Sequence, residues 1–344
     1  MRERFSKLVD SARRHWKRWL PPAACGLALL MVVGQFTPVG RPGAPTRYVT
    51  IADGSSLGTA SATLEAKRII RNRFALSLLG RLTGSSDKIQ PGTYALSPGL
   101  NPFQVLEYLV EGRGRQQRLT VPEGYSAGRI AKLLDQRAAG DGSRFLELIA
   151  RPEAFADKYP WLRDVQPTLE GYLFPDTYLY EGDRIDERRL IEQMLSRFEA
   201  VILKDYRAEA NPIMRLPEAL TLASIIELEA ARPEERTLIS GVFHNRLKLK
   251  MRLGSDPTVE YALGRHQGNR GLSFKDVRID SPYNTYRYAG LPPGPIANPG
   301  RASFQAALHP EETTYLYFVA KGDRSHAFTR SYAEHLEAQR RHRR

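Results

Sequence analysis

The chain has 344 residues, 42% of them hydrophobic and 26% charged, with a formal net charge of +13. That length admits two or three compact units, and the ordinary composition excludes a wholly disordered chain. A single Cys excludes intramolecular disulfides and a Cys-based zinc site; the seven His contain no His-Glu-x-x-His and no pair at metal-ligand spacing, so neither metal nor cofactor is expected.

Residues 1–19 carry Arg2, Arg4, Lys7, Arg13, Arg14, Lys17 and Arg18 against only Glu3 and Asp10, and Trp19–Gly40 carries no charge. As a helix that uncharged stretch would span about 33 Å, enough for a bilayer. A transmembrane helix over 20–40, trimmed by Pro21, Pro22 and Pro38, is expected to follow a basic cytoplasmic tail over 1–19. No small-x-small cleavage site follows, and Cys25 precedes the apolar run, so an uncleaved anchor is favoured over a signal peptide. The positive flank then keeps the N-terminus in the cytoplasm and sends the rest across. A translocated basic body meets anionic lipid head groups and an anionic wall polymer, and nucleic acid is not expected as a partner.

The Pro/Gly-rich stretch Phe36–Thr46 reads as a linker, set at 41–47 once the membrane helix takes 20–40, and leads to a module expected over 48–140. Within it Val49–Ser56 and Leu119–Ser126 form a weak repeat: a short strand, an acidic-Gly turn, and a Ser placed to cap the next helix. Between the copies, Gly92–Leu96 reads as a strand and Pro102–Val110 as a helix, giving a small α+β module. A mainly helical α+β domain is expected over 141–335, with helices at Gly142–Ile149, Glu187–Leu203, Leu216–Ala231 and Pro233–Lys248. A strand is expected at Thr314–Ala320 and a basic tail over 336–344. Two stretches interrupt the helices: the aromatic turn Glu170–Tyr178, and the loop Ser281–Gly300, whose Pro and Gly content forbids a helix or central strand.

Two acids end the third of these helices. At about 100° per residue, Glu227 and Glu229 point to nearly opposite sides. Glu229 continues the apolar stripe of Leu222, Ile225 and Ile226, whereas Glu227 follows the smaller face of Leu220, Ala223 and Ser224. A carboxyl on an apolar stripe is either held in an ion pair, here with Arg232 or Arg246, or pushed toward its protonated form. Spacing alone favours the ion pair. A neutral acid near pH 7 is nevertheless what general acid catalysis needs.

Tyr172, Phe174, Asp176 and Tyr178, and likewise Tyr283, Asn284, Tyr286 and Arg287, suit a carbohydrate cleft, because aromatic faces stack on sugar C–H surfaces and polar groups bind hydroxyls. Taken singly, each aromatic is better explained as a seal at a domain corner. Asn245-Arg246 and Ser255-Asp256-Pro257-Thr258 are polar punctuation placed after the acid-bearing helix.

Leu222-Ala223-Ser224-Ile225-Ile226-Glu227-Leu228-Glu229 resembles the signature of the YceG-like endolytic murein transglycosylases, the MltG family. So do Asn245-Arg246-Leu247, Asp256-Pro257-Thr258-Val259, Tyr283-Asn284-Thr285-Tyr286, Gly290-Leu291-Pro292-Pro293-Gly294 and Tyr315-Leu316-Tyr317-Phe318-Val319, in order over roughly 45–335. The resemblance implies one N-terminal membrane helix in the bacterial cytoplasmic (inner) membrane, a LysM-like module, and a catalytic domain facing the wall. It places the catalytic acid at Glu229, with Glu227 and Asp256 supporting and Asn245, Arg246, Tyr283 and Asn284 as substrate contacts. Leu228 and Ala230 replace the family's common Lys and Thr, and Asn298 stands where a Thr or another small polar residue is common.

The implied reaction cleaves the MurNAc-β-1,4-GlcNAc bond within a peptidoglycan strand and leaves a 1,6-anhydro-MurNAc end, with penicillin-binding proteins as implied partners. One carboxyl suffices, since the sugar's 6-hydroxyl replaces the water for which ordinary glycosidases need a second. A muramidase using Glu229, Asp256 and water, and a non-catalytic wall-binding scaffold, are the rival readings.

Overall fold

The computed structural model describes residues 31–342 apart from 138, 166, 182–183 and 266–270. The basic tail and most of the expected transmembrane helix therefore lie outside the described residues. Among the described residues no helix is long and apolar enough to cross a membrane. The chain divides into two compact units, Met1–Gln117 with Leu179–Asp183, and Arg118–Tyr178 with Arg184–Arg344.

In the first unit, strands β1 (Arg47–Ile51) and β2 (Gly92–Leu96) pair antiparallel, with Arg47 opposite Leu96 and Ile51 opposite Gly92. Period-2 alternation sends Val49, Ile51, Tyr94 and Leu96 inward against helices α1 (Leu57–Ala66), α2 (Arg73–Leu82) and α3 (Pro102–Glu111). Ser56 caps α1 by accepting the Thr59 N–H, Asn72 caps α2, and Asn101 with Gln104 forms a reciprocal capping box on α3. The linker does not stand free. Phe36 packs on the hydrophobic core, Arg71 donates to Pro38 O at 2.9 Å, Gly40 N donates to Pro98 O at 2.8 Å, and Ser97 Oγ to Ala44 O at 2.8 Å.

Strands β3 (Arg115–Thr120) and β4 (Thr177–Glu181) complete a four-stranded sheet of order β1-β2-β3-β4, and the unit boundaries fall inside these two strands. The repeat inferred from the sequence is real at the level of local structure. Gly54 and Gly124 both take a positive φ, and Ser126 caps α4 (Ala127–Gln136) as Ser56 caps α1.

The second unit continues through α5 (Gly142–Ile149), α6 (Glu187–Phe198), a π turn at Glu199–Leu203 and the short α7 (Lys204–Ala208). The long central helix α8 (Leu216–Glu229) follows, then a 3-10 turn at Pro233–Glu235 that leads into α9 (Arg236–Lys248). Helix α8 is buried along its whole length from Ala219 to Ile226. Helices α10 (Asp256–Ala262) and α11 (Arg301–Leu308) join α9 in packing around it. The long Pro/Gly loop is ordered without regular structure, and its last residues, Ile296–Gly300, are buried. A hairpin of β5 (Tyr317–Ala320) and β6 (His326–Thr329) closes the unit with α12 (Tyr332–His342). The residues expected as a basic tail thus belong to a helix as far as His342.

The aromatic turn is a seal. Tyr172, Phe174 and Tyr178 are buried, and Trp161 stacks on Phe198 at 5.2 Å with Tyr172 against both.

Candidate active site

Helix α8 starts where Glu218 turns back to accept the Arg215 N–H at 3.1 Å, with Pro217 in its first turn. It ends at Glu229, because Ala230 leaves helical geometry with ψ 96°. Because Leu220, Ala223 and Ser224 are as buried as Leu222, Ile225 and Ile226, helical phase does not separate the two acids. Both are recessed. Their partners separate them.

Glu227 is fully compensated. Its Oε1 accepts from Arg236 Nη2 at 3.4 Å and its Oε2 from Gly300 N at 3.0 Å, with the carboxylate side chain 7% exposed and the guanidinium 15%. Arg236 in turn donates to Ser303 Oγ at 3.0 Å. Glu123 approaches the same place; burial and the Glu227 charge push its carboxyl up, and Arg236 opposes them.

Among the described residues Glu229 has one hydrogen-bond donor, Ser255 Oγ, at 2.5 Å from Oε1. Among the described residues no cation lies within ion-pair distance of it. Arg232 is instead turned to Asp323, and Arg246 to the Leu316 and Leu253 carbonyls. The expected ion pair is therefore not formed. Glu229 is a half-buried residue whose carboxyl is closely surrounded by protein, and burial pushes it up to about 7. The Ser255 hydrogen bond and the Arg246 charge oppose that rise, while the Asp256 and Glu260 charges add to it. The negative end of the α8 macrodipole, which falls at this residue, acts in the same direction. A carboxyl half protonated near neutrality can both give and take a proton.

The support for Glu229 comes from the 254–258 turn. Gly254 takes a φ of +56°, which L side chains rarely adopt, and its N–H donates to Thr285 O at 3.1 Å. The turn delivers Ser255, which is buried and donates its N–H to Thr285 Oγ1 at 3.0 Å. Thr258 Oγ1 bridges Thr285 Oγ1 at 2.9 Å and Ser255 O at 2.7 Å. Exposed Asp256 opens α10 and accepts from Tyr286 Oη at 2.6 Å.

The other residues expected at the site serve in different ways. Arg246 lies over the Tyr317 ring at 5.1 Å and faces Glu229 electrostatically. Asn245 donates its amide hydrogens to Thr313 O and Tyr315 O, so it fastens the segment before β5. Asn284 is fully buried; it donates to Val277 O and Ile279 O and accepts the Tyr286 N–H at 3.0 Å, organising the turn that carries Tyr286. Tyr283 is half-buried against Tyr261, ring centroids 4.9 Å apart. The structure thus brings Glu229, Asp256 and Arg246 together; Ser255 is a contact that the sequence does not single out, and Tyr286, expected as a sugar-stacking aromatic, reaches the Asp256 carboxylate instead. Only the polar, turn-forming composition of 254–258 pointed to Ser255.

A second buried acid was also missed. Glu170 accepts the Ala127 N–H at the start of α4 with both oxygens and Asn298 Nδ2 at 3.0 Å, and burial pushes it up to about 7. Asn298 is the hub. Its Oδ1 accepts from Gly171 N and Leu173 N at 2.9 Å each, and its Nδ2 also donates to Tyr125 O. One amide therefore joins the aromatic turn, the α4 capping turn and the end of the Pro/Gly loop. Glu170 also lines, with Arg129, Lys132, Glu260 and Tyr261, a cavity of about 370 Å3 that reaches Leu228 of α8.

Residues 49–341 match the YceG-like family. The chain belongs to that family. It is 34% identical over 326 residues to a protein of Bacillus subtilis (strain 168) named endolytic murein transglycosylase, covering 91% of this chain and 89% of that protein. A protein of the same name from Streptococcus pneumoniae serotype 2 is 32% identical over 303 residues, which span 80% of this chain and 54% of the pneumococcal protein. The crystal structure of a yceG-like protein from Listeria monocytogenes matches with a TM-score of 0.61 and 35% identity, covering 85% of this chain and 98% of the Listeria chain. This YceG-like chain keeps both acids of the signature, in the unequal environments described above.

Proposed function

We propose that this YceG-like protein is an endolytic peptidoglycan lytic transglycosylase in which Glu229 carries the proton in both directions. The observation that carries the reading is a recessed carboxyl raised to about 7 and held by the Ser255 hydroxyl with no ion pair among the described residues. The names of the Bacillus and Streptococcus relatives supply the substrate class.

Glu229 gives its proton to the bridging O4 of GlcNAc as the C1–O4 bond breaks. The exposed carboxylate of Asp256 stabilises the cationic sugar ring that develops. Glu229, now ionised and stabilised by Ser255 and Arg246, takes the proton from the MurNAc 6-hydroxyl as O6 bonds to C1. Protons balance, no water is consumed, and the product ends in 1,6-anhydro-MurNAc.

The N-terminal basic tail and the uncharged stretch that follows support a single-pass anchor in the cytoplasmic membrane, with the catalytic domain on the outer side. The β1-α1-α2-β2 order of the first unit supports a LysM-like, glycan-binding module from residue 48 to the end of that unit at Gln117, short of the 140 expected from the sequence, with the catalytic domain over 141–335. The turn after β1 borders a polar groove of about 430 Å3 lined by Asp53, Ser55, Ser56, Ser86 and Asp87, suited to sugar hydroxyls. Penicillin-binding proteins, which build the substrate strand, are the proposed partners.

The test is the product formed from uncrosslinked glycan strands. Mass spectrometry should find muramyl ends one water lighter than hydrolysis gives, and Glu229→Gln should bind strands yet release none. Hydrated ends would make the protein a muramidase using Asp256 and water. Undiminished turnover by Glu229→Gln would remove Glu229 from the chemistry.

A further inference from the structure

The first unit exposes an apolar face that its own fold does not cover. Phe74, Leu78 and Leu82, four residues apart on α2, are 68%, 52% and 76% exposed, and Phe103 at the start of α3 is 56% exposed. Leu79 and Phe103 line a shallow apolar cleft of about 260 Å3 between these two helices. Such a face on a water-soluble module marks a docking surface.

What lies beside it identifies the occupant. Residues 31–33, the end of the apolar run within the uncharged stretch, are exposed apolar side chains, and the chain turns immediately after them: Phe36 N donates to Val33 O and Thr37 N to Gly34 O. Phe36 then packs against Phe103, ring centroids 5.9 Å apart. Arg71 holds Pro38 O, and Gly40 holds Pro98 O, so no slack chain separates the apolar stretch from the module. Cations border the face. The Arg73 guanidinium lies over the Phe74 ring at 4.9 Å, and Arg81 follows Leu78 by three residues on α2. The acids at the cleft, Glu107 and Glu111, are both paired with Arg113. Apolar side chains rimmed by positive charge are the makeup of an interfacial membrane surface, which sinks about 5–10 Å into the head-group boundary.

We infer that the α2–α3 face of the first unit lies on the outer surface of the bilayer, held there by Phe74, Leu78, Leu82 and Phe103. This rests on the membrane-anchor reading above. The anchor delivers the face to the lipid without an intervening tether, so the module is a second membrane contact and not a domain swinging on a stalk.

The experiment uses the full chain with Cys25→Ser and single cysteines at Ala28, Leu78 or Thr50, each labelled with an environment-sensitive fluorophore. Thr50 lies on β1 with its side chain on the sheet face opposite the inward Val49 and Ile51. The proteins are reconstituted in phosphatidylethanolamine–phosphatidylglycerol vesicles carrying lipid with a shallow nitroxide quencher. The labels at 28 and 78 should show blue-shifted, quenched emission and the label at 50 should not. Substituting Phe74→Ser with Leu82→Ser should abolish quenching at 78, because both side chains are exposed and the module's core is untouched. Quenching at 28 with none at 78 would overturn the inference and leave the anchor standing. Loss of quenching at 28 together with release of the protein by alkaline carbonate would overturn the anchor itself. Disulfide-linked dimers formed through Leu78→Cys would give the face to a second copy of the chain, which also overturns the inference.

Discussion

Ser255 Oγ donates to Glu229 Oε1 at 2.5 Å, and among the described residues it is the one hydrogen bond that favours the charged form of this carboxyl. Removing it leaves burial and the Asp256 and Glu260 charges unopposed except by Arg246. Ser255→Ala should therefore raise the Glu229 pKa. Since catalysis begins from the protonated acid, the rate falls as pH rises through that pKa, and the alkaline limb of the pH–rate profile reports it. A hydrogen bond to a charged group is worth about 1.5–3 kcal/mol, so Ser255→Ala should move this limb upward by about one to two pH units. An unmoved or lowered limb would show that Ser255 does not set the Glu229 proton affinity.

The two signature acids should respond oppositely to removal. Glu227→Ala orphans the recessed Gly300 N–H and takes the carboxylate partner from the recessed Arg236 guanidinium, leaving it Ser303 Oγ and the Glu123 charge, and should cost about 3 kcal/mol in urea unfolding. Glu229→Gln removes a carboxyl that is desolvated without an ion pair, so it should leave stability at pH 8 equal or higher while abolishing turnover. Equal destabilisation by both variants would refute the distinction drawn between them.

Glu229 and Glu170 are both raised from an ordinary 4.5 to about 7. Between those values the folded protein holds a proton at each site that the unfolded chain has released. Stability should consequently fall as pH rises through this window, by up to about 3 kcal/mol per site, and level off above pH 7. Comparing chemical denaturation of the parent with Glu170→Gln and Glu229→Gln from pH 4.5 to 8 isolates each contribution. The Gln variants should flatten the slope. A parent whose stability rises over the window relative to both variants would contradict the raised values.

Much of the scaffold is local, and the amino-acid pattern alone makes it legible. The strand at Gly92–Leu96 and the helix at Gly142–Ile149 have the bounds their patterns predict, because pleat alternation, the Asp141 cap and flanking glycines are written within a few residues. Both Ser caps of the repeat follow from the same short-range chemistry. The site is less legible, since its partners arrive from afar: Ser255 is 26 residues from Glu229, and Asn298 is 128 from Glu170. The helical-phase argument fails because it assumes one solvent-facing side, and α8 has none from Ala219 to Ile226. Asn284 resembles a sugar-binding amide by type, but its hydrogens go to two backbone carbonyls, and Tyr286 is the aromatic that reaches a carboxylate.

Tyr286 offers a test of the site that stability does not confound. Its hydroxyl contacts the exposed Asp256 carboxylate, at the start of α10, and faces the Glu229 charge. Tyr286→Phe removes one charge-assisted hydrogen bond and keeps the ring that packs near Gly254. If Asp256 stabilises the cationic sugar, losing its positioning donor should lower kcat by about tenfold, the worth of about 1.4 kcal/mol in the transition state. KM and the melting temperature should stay close to those of the parent, and Asp256→Asn combined with Tyr286→Phe should cost little more than Asp256→Asn alone. Additive losses in that pair would show that Tyr286 acts on the substrate directly and not through Asp256.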